Sequence, residues 1–434
     1  MDMRRQGMDS GTPGSLLPSG AYVSALSPAA AQAQPAMSPV LVVILLGLLL
    51  GLQPLATDLY LPALPSIQTA FSTQVSQVQL TLTAFLLAFG CSQLAWGPLS
   101  DRFGRRPILL AGMSIYVLAA LGSASAETME SLIAWRALQG ASLGAGVMCA
   151  RAMVRDLFAP HLGAQVMSKA LTGLGVIAFL SPVSGSLLVD SLGWRSTMLA
   201  QAVMGALALL LVALRFTETL ARTNPTALQP LALARNWITI VRHPGFQSYQ
   251  LLTCCTYAAL FTNLAASSFT YIHVLGVSRT GYGLLMGSNA LCYIAGTFLC
   301  RWLLQRMDVR RAVQIAGLAS LLSATAIGIA ALADARSLWA YALPFYIFQI
   351  AHGVHMPCGQ SNAIAPFPQS AGTASALNGF TMMLIAFAMG HWLGLHLDGQ
   401  STRPMAFGIW FWGVCTALVA WGLVRRHGGV DGHR

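Results

Sequence analysis

Apolar residues are gathered along this chain into long runs that are separated by short polar segments. The first run extends from Pro39 to Leu61, and a helix needs about 20 such residues to cross roughly 30 Å of hydrocarbon. Similar runs lie near residues 77–98, 107–126, 131–150, 165–189, 196–216, 247–275, 282–300, 312–333, 338–359, 372–397 and 404–424. The pattern predicts an all-α membrane protein with twelve transmembrane helices in two six-helix bundles, and the runs are numbered spans 1 to 12.

The composition agrees with this prediction, and local differences in composition delimit the bundles, the linker and the tails. Of the 434 residues, 56% are hydrophobic and only 9% are charged, whereas a soluble chain has roughly 25% charged residues. A soluble globular protein is therefore excluded. We predict bundles over residues 38–216 and 246–425, joined by a polar cytoplasmic linker at 217–245, and cytoplasmic tails at 1–37 and 426–434. The first tail is rich in Gly, Pro, Ser and Ala and has no signal-peptide core, so we expect it to be disordered.

The basic residues are distributed unevenly between the two sides of the predicted bundle. If the amino terminus is inside, 19 of the 24 Lys and Arg residues fall in cytoplasmic segments, four in outer loops and Arg136 within a span. Such an excess on the cytoplasmic side is the rule for membrane proteins. The net charge of +11 is thus explained by orientation in the lipid bilayer with both termini cytoplasmic, and no nucleic-acid partner is expected.

The two halves align with each other at a constant offset. A shift of 205 residues places Gly104-Arg105-Arg106 on Val309-Arg310-Arg311, and it places Thr57-Asp58 on Thr262-Asn263. Two matches at one offset favour a repeated six-helix unit, in which a central site forms between halves that rock about it. The sequence therefore indicates a transporter.

Asp58 and Arg136 are the two charges that lie well within the predicted spans. A charge in hydrocarbon is costly, so such residues are interpreted as functional by default. Counting along the spans puts both in the outer third of the membrane. Pro54 and Pro62 flank Asp58 and disturb helical hydrogen bonding, and a carboxylate that moves between desolvated and paired environments can load and release a proton. Two plainer interpretations remain open: Asp58 snorkels to the outer interface, and Arg136 is a structural brace bonded to carbonyls.

The loop between spans 2 and 3 carries a sharp motif. Residues 97–107 read GPLSDRFGRRP and resemble the signature G-x-x-x-D-R-x-G-R-R of the major facilitator superfamily. The resemblance implies a cytoplasmic gate formed by Gly97, Asp101, Arg102, Gly104, Arg105, Arg106 and Asp156. In that gate Asp101 faces the amino end of span 11, near Gly372, and Arg105 pairs with Asp156. The copy in the second half has Arg306 and Val309 at the aspartate and glycine positions, so a weaker latch is expected there.

Two further stretches of sequence resemble one group of transporters within this superfamily. Residues 57–65 read TDLYLPALP and residues 136–140 read RALQG, which is similar to drug:proton antiporters of the bicyclomycin and chloramphenicol resistance (Bcr/CflA) type. Span 5 keeps Pro182 and Gly185 of an antiporter-like P-x-x-G element, but Ser181 and Ser186 replace glycines. The resemblance implies a bacterial inner-membrane protein that acts as a monomer and needs no cofactor beyond a proton gradient.

The sequence therefore predicts proton-coupled efflux of lipophilic neutral or monocationic drugs, and uptake of a small metabolite by proton symport is the alternative. The candidate residues for binding protons and substrate are Asp58, Tyr60, Arg136, Tyr257 and Asn263. No enzyme is predicted, because the G-x-S-x-G match at 140–144 lies in an apolar helix and not at a strand-to-helix turn. No metal is predicted either, although His352, His355 and Cys358 recur at a spacing that could bring soft ligands onto one helix face.

Overall fold

The computed structural model describes residues 37–158, 160–220, 223, 228–397 and 399–427. Within these residues the chain is helical and contains no strand. Twelve helices have 19 residues or more. They are α1 Pro39–Asp58, α2 Val75–Phe103, α3 Arg105–Ala124, α4 Met129–Leu157, α5 Pro160–Leu192, α6 Arg195–Arg215, α7 Pro244–Ser267, α8 Arg279–Leu304, α9 Val309–Leu332, α10 Trp339–Ile364, α11 Ala371–His396 and α12 Arg403–Trp421.

Each predicted span overlaps one of these helices, and ten of the helices are both long and apolar enough to cross a membrane. The other two are α4 and α10, with 29 and 26 residues. At 1.5 Å per residue, helices of this length extend roughly 40 Å. Their length therefore suits a membrane crossing, whereas their polar side chains make them less apolar than the rest.

Shorter helical segments lie between the long ones. A 3-10 turn at Leu61–Ala63 and a helix at Leu64–Phe71 follow α1, and a π-helical turn at Ser268–Val274 continues α7. The segment 217–245 was predicted as a polar linker, but it contains the helix Pro230–Val241, which we call the linker helix. Its Ile240 is fully buried, so part of this linker packs against the bundle.

The predicted repeat is visible in the positions of the helices. Shifting the first half by 205 residues places the start of α1 at 244, where α7 begins, and the start of α2 at 280, one residue after α8 begins. The largest mismatch, six residues, is between α5 and α11. The two halves are thus six-helix units of one design.

The halves meet along two helix pairs, α2 with α11 and α5 with α8. These pairs correspond under the repeat. Glycines permit the close approach: a Cβ on Gly90 would lie 3.0 Å from Cγ of Met383, and one on Gly287 would lie 2.9 Å from the Phe179 carbonyl oxygen. Small residues have this role in membrane helix packing.

The two ends of the bundle differ in charge. We call the end that carries Arg102–Arg106 and Arg306–Arg311 the basic end, and the other the opposite end. At the opposite end an amide of α2, Gln79 Nε2, donates to the Ala265 carbonyl oxygen on α7 at 2.5 Å. There too, Arg279 of α8 pairs with Asp190 of α5 at 3.0 Å. The halves are therefore joined at the opposite end.

Candidate functional site

Asp58 is the last residue of α1. The helix ends there because Pro62 and Pro65 cannot donate the backbone hydrogen bonds that would extend it. The Asp58 carboxylate accepts a hydrogen bond from Thr57 Oγ1 at 2.8 Å and remains partly exposed. The turn that follows Asp58, Leu61–Ala63, contacts α5 and also α8 of the second half. Asp58 thus lies where the two halves face each other.

Arg136 is fully buried on α4. Its Nη1 donates to Oε1 of Gln139 at 2.8 Å and to Oε1 of Gln201 at 3.2 Å. Its Nη2 donates to the carbonyl oxygen of Ala56 at 3.0 Å. Ala56 is two residues before Asp58, so this arginine fixes the end of α1. Gln139 also donates from Nε2 to Oε1 of Gln201 at 2.9 Å, which ties α4 to α6.

Arg136 and Asp58 were predicted at a similar depth in the membrane, but no ion pair joins them among the described residues. The guanidinium carbon lies 4.4 Å from the ring centroids of both Tyr60 and Phe85. Desolvated contacts of this kind contribute up to about 2 kcal/mol. Aromatic faces and amide oxygens, rather than a carboxylate, thus surround this buried cation. Its hydrogen bond to the Ala56 carbonyl oxygen is the kind of contact that a structural brace would make.

Tyr60 connects this arginine to α2. Its hydroxyl lies 2.6 Å from Oγ1 of Thr81, and the tyrosine is fully buried. Gln201 and Thr81 were not among the predicted site residues. The signal available in the sequence was weak, because one polar residue in an apolar span does not reveal which way it faces.

Asn263 and Tyr257 lie on α7, the counterpart of α1. The Asn263 amide oxygen accepts a hydrogen bond from the Tyr271 hydroxyl at 3.1 Å, and the residue is fully buried. Its Nδ2 has no hydrogen-bond partner among the residues that the structure describes. Tyr257 is half-buried. Asn263 therefore repeats the position of Asp58 without its charge.

Pro182 and Gly185, the antiporter-like element, lie on α5 between both halves. A Cβ on Gly185 would collide with the Leu59 carbonyl oxygen, just beyond the end of α1. On the other side, a Cβ on Gly283 of α8 would lie 2.8 Å from the Pro182 carbonyl oxygen and 2.6 Å from Oγ of Ser186. The element thus brings α1, α5 and α8 into close contact near Asp58.

The signature loop at the basic end forms an ionic cluster. Arg105 Nε lies 3.0 Å from Asp156 Oδ2, as expected, and Nη1 lies 2.6 Å from Asp101 Oδ1. The same Nη1 donates to Ser100 Oγ at 2.6 Å. Gly104 has φ +96°, a conformation that glycine adopts readily. Of the remaining gate residues, Gly97 faces Met148, Arg102 lies over the Phe103 ring, and Arg106 donates to the Ala213 carbonyl oxygen at 3.0 Å.

Glu218, just after α6, completes this cluster and was missed by the sequence prediction. Its Oε1 accepts from the backbone N–H of Arg105 at 2.9 Å, and its Oε2 accepts from that of Arg106 at 3.0 Å. The N–H groups of Thr219 and Leu220 donate to Oε1 as well. Partial burial raises the pKa of this carboxyl, but the four N–H donors outweigh burial and hold it below its ordinary value. Glu218 therefore caps the amino end of α3.

Asp101 was expected to face the amino end of α11, but it does not reach that helix end. It binds Arg105, and a cavity of about 640 Å³ at the basic end is lined by both Asp101 and the first residues of α11. The cavity lies between α2, α4, the linker helix and α11. The halves are thus joined at the opposite end and flank a cavity at the basic end, where Arg151 of α4 reaches Ser375 of α11. The contact expected of Asp101 would need this cavity to close.

His352, His355 and Cys358 do not converge on a metal site. His352 Nδ1 is 2.9 Å from Thr256 Oγ1, whereas His355 Nε2 is 3.3 Å from the Val313 carbonyl oxygen. No group of three potential metal ligands occurs in the described ranges. The spacing of these three residues therefore gives no support for a metal site.

Two homologous six-helix halves, joined at one end and flanking a cavity at the other, define a membrane transporter. The sequence matches the family model of the Major Facilitator Superfamily over residues 44–391. This chain belongs to that superfamily, and it is a transporter rather than an enzyme.

Known relatives narrow the placement within the superfamily. The bicyclomycin resistance protein homolog of Haemophilus influenzae is 28% identical over 376 residues, covering 87% of this chain and 93% of that protein. Multidrug resistance protein D of Escherichia coli is 30% identical over 338 residues, covering 77% and 84%. The predicted relationship to resistance transporters is confirmed. A solved D-xylose-proton symporter superimposes with a TM-score of 0.69 at 17% identity, covering 89% of this chain and 97% of that one, which shows the shared fold.

Proposed function

We propose that this protein is a proton-coupled drug exporter of a bacterial inner membrane. The observation that carries the proposal is a carboxylate, Asp58, at the end of α1 where α1, α5 and α8 meet between the halves, in a chain whose relatives are resistance transporters. The substrates would be lipophilic neutral or monocationic compounds, because Asp58 is the one acid that we place deep within the spans. Protons and drug would be the partners of a monomer in the bilayer.

In the proposed cycle the cavity at the basic end faces the cytoplasm and takes up the drug while Asp58 is deprotonated. The two bundles, over residues 38–216 and 246–425, then rock about their contacts and expose the site at the opposite end. A proton binds Asp58, the drug leaves, and the carrier resets. Both termini, the linker at 217–245 and the basic end would be cytoplasmic, in agreement with the positive-inside rule.

Arg136 would act as a positioning residue. Through the Ala56 carbonyl it holds the end of α1, and through Tyr60 and Gln201 it connects that end to α2 and α6. Asp58 then holds its carboxylate in one defined place between the halves, while Tyr257 and Asn263 supply neutral hydrogen-bonding groups on α7, the counterpart of α1. Pro182 and Gly185 would keep the opposite end sealed during loading, because they hold α5 against Leu59 and α8.

The ionic cluster of Asp101, Arg105 and Asp156 would work as the gate at the basic end. It stays within the first half in this conformation. Closing the cavity would bring Asp101 to the amino end of α11, where a negative charge is favoured by roughly 0.3 to 1 kcal/mol. The gate would therefore favour the state that is open to the outside.

Transport direction is the experiment that tests the proposal. In everted vesicles with an acidic interior, an exporter loads chloramphenicol or bicyclomycin and releases protons. Vesicles with the Asp58→Asn variant are the matched control, since an amide fills the same volume without a titrating group. Drug-independent proton flux, or drug loading that ignores the pH gradient, would contradict the proposal. Uptake symport, the alternative, predicts little loading in this orientation.

A further inference from the structure

The cavity at the basic end has an excess of positive charge that the proposed cycle does not use. Its lining contains three arginines, Arg105, Arg151 and Arg155, and one acid, Asp101. Arg105 is neutralised, because Asp101 and Asp156 both lie within 3.0 Å of its guanidinium. Arg151 and Arg155 pair with no carboxylate within the part of the chain that the structure describes. Two positive charges therefore remain without a counter-ion.

These two arginines reach from the first half toward the second. Arg151 Nη1 donates to Ser375 Oγ on α11 at 3.0 Å. Arg155 Nη1 lies 3.3 Å from the position that a Cβ would take on Gly372. Both guanidinium groups thus lie beside the first turn of α11, whose free N–H groups are themselves positive. Like charges placed together in this way are unfavourable until an anion joins them.

The rest of the lining mixes polar residues, such as Gln93 and Asn236, with apolar ones, and the apolar residues indicate what the anion would be attached to. Leu94, Met148, Trp237 and Ile364 contribute side chains to the wall of the cavity. Its volume of about 640 Å³ lies within the range of drug-sized ligand sites. Low-dielectric walls also concentrate the field of the arginines in the cavity.

We infer that this cavity is a recognition site for amphiphiles that carry one anionic group, such as an aryl carboxylate or sulfonate, with Arg151 and Arg155 binding the anion. The inference rests on the proposed function and deepens it. Neutral and monocationic compounds suit the carboxylate of Asp58, whereas this second site extends the substrate range to anions. An anionic lipid headgroup shares the same chemistry, and the experiment separates the two sources.

The test uses three probes that share a fluorophore and differ in charge. Dansylglycine is anionic, dansylamide is neutral, and dansylamidoethyl-trimethylammonium is cationic. Binding is measured by fluorescence titration of the full chain in nanodiscs of phosphatidylcholine, with empty nanodiscs as the blank. We expect a Kd for dansylglycine at least about tenfold below that of the cation, a preference that high salt reduces because ions screen exposed charges.

The decisive variant is Arg151→Gln with Arg155→Gln. Its Kd for dansylglycine should rise about tenfold or more, and its Kd for dansylamide should stay unchanged, which also shows that the cavity is folded. Lysines at both positions should keep most of the preference for the anion. Arg425→Gln with Arg426→Gln, which removes the same two charges at the same end but outside the cavity lining, should change none of the three constants.

Three outcomes would overturn the inference. They are equal affinities for the anion and the cation in the parent, an undiminished preference in the double glutamine variant, and loss of dansylglycine binding when phosphatidylglycerol is added. The last would assign the cavity to a lipid headgroup. Loading of neutral chloramphenicol in vesicles tests the proposed function separately, so either one can fail while the other stands.

Discussion

The two halves of this carrier share one helix layout but differ at corresponding loops of the basic end. In the first half, Arg105 is held by Asp101 and Asp156 at 2.6 Å and 3.0 Å. In the second half, Arg311 and Asp308 are 3.8 Å apart, with 78% and 58% of their side chains exposed. An exposed pair at this distance contributes little. The ionic cluster thus belongs to one half only.

The difference extends to the helix that each loop begins. Glu218 caps α3 through two backbone N–H groups, whereas a shift of 205 residues places Leu423 at its counterpart. Asp308, before α9, makes no capping hydrogen bond with its side chain. A duplicated unit therefore retained its helices, which packing requires, and diverged at polar sites. The comparison indicates that the gating charges act from the first half onto α11 of the second.

The largest effect is expected where the halves differ inside the membrane, at Asp58 and Asn263. Asp58→Asn should reduce proton-driven drug loading to background, because no titrating group remains at this site. Asn263→Asp in the same chain should not restore it, since that residue is on α7 of the second half and its amide is bonded to Tyr271. Loading is measured in vesicles, with size-exclusion elution as the check on folding. Transport that survives Asp58→Asn would place the proton site elsewhere.

The next effect concerns Arg136, whose counterpart under the repeat is the neutral Tyr341. Arg136→Lys cannot reproduce three hydrogen bonds and two ring contacts with a single ammonium. We expect transport to fall about tenfold or more, since hydrogen bonds to charged groups contribute roughly 1.5 to 3 kcal/mol each. Tyr341→Phe loses hydroxyl contacts to Ala335 and Thr402 and should cost about 1 kcal/mol of stability. An Arg136→Lys variant with full efflux would exclude the positioning role.

The cap that Glu218 provides at the amino end of α3 can be tested by varying the pH. The corresponding helix of the second half, α9, has no side-chain cap from Asp308. The pKa of Glu218 is below the ordinary value, so its stabilisation is complete above the ordinary glutamate pKa of about 4.3. That stabilisation is lost as the pH falls through the lower pKa of the folded state. Glu218→Gln should lower stability at pH 7 by about 0.5 to 2 kcal/mol, and the gap to the parent should shrink under acid. Thermal unfolding across pH measures this, and a gap that stays constant would contradict the cap.

The smallest effect is expected in the second half. Asp308→Asn should change stability by less than about 0.5 kcal/mol, because its pair with Arg311 is long and exposed. Asp156→Asn provides the contrast, since it removes a half-buried partner of Arg105. The two variants are compared by thermal unfolding in the same detergent. Equal effects would mean that the halves do not differ as described.

Predictions from the sequence were most successful for the long helices. The run from Pro39 to Leu61 predicted a helix that is observed over Pro39–Asp58, and the difference at its end arises from Pro62. The linker was harder to predict, because the helix Pro230–Val241 has 12 residues and is too short for a spanning run. The pair of Arg105 and Asp156 was expected from a loop motif, whereas the Glu218 cap was not, because 113 positions separate it from Arg105.

The sequence by itself determined the number of long helices, the repeat of 205 residues and the candidate charges, because each is a local property of apolar runs and motifs. Apart from the pair of Arg105 and Asp156, tertiary structure alone decided which side chains contact each other. It placed Arg136 between aromatic rings instead of beside Asp58, and it left Arg151 and Arg155 beside α11. The physical reason is that a helical side chain can face lipid, a neighbouring helix or a cavity. Which of these it faces depends on rotation and packing of whole helices, and those depend on residues far away in the chain.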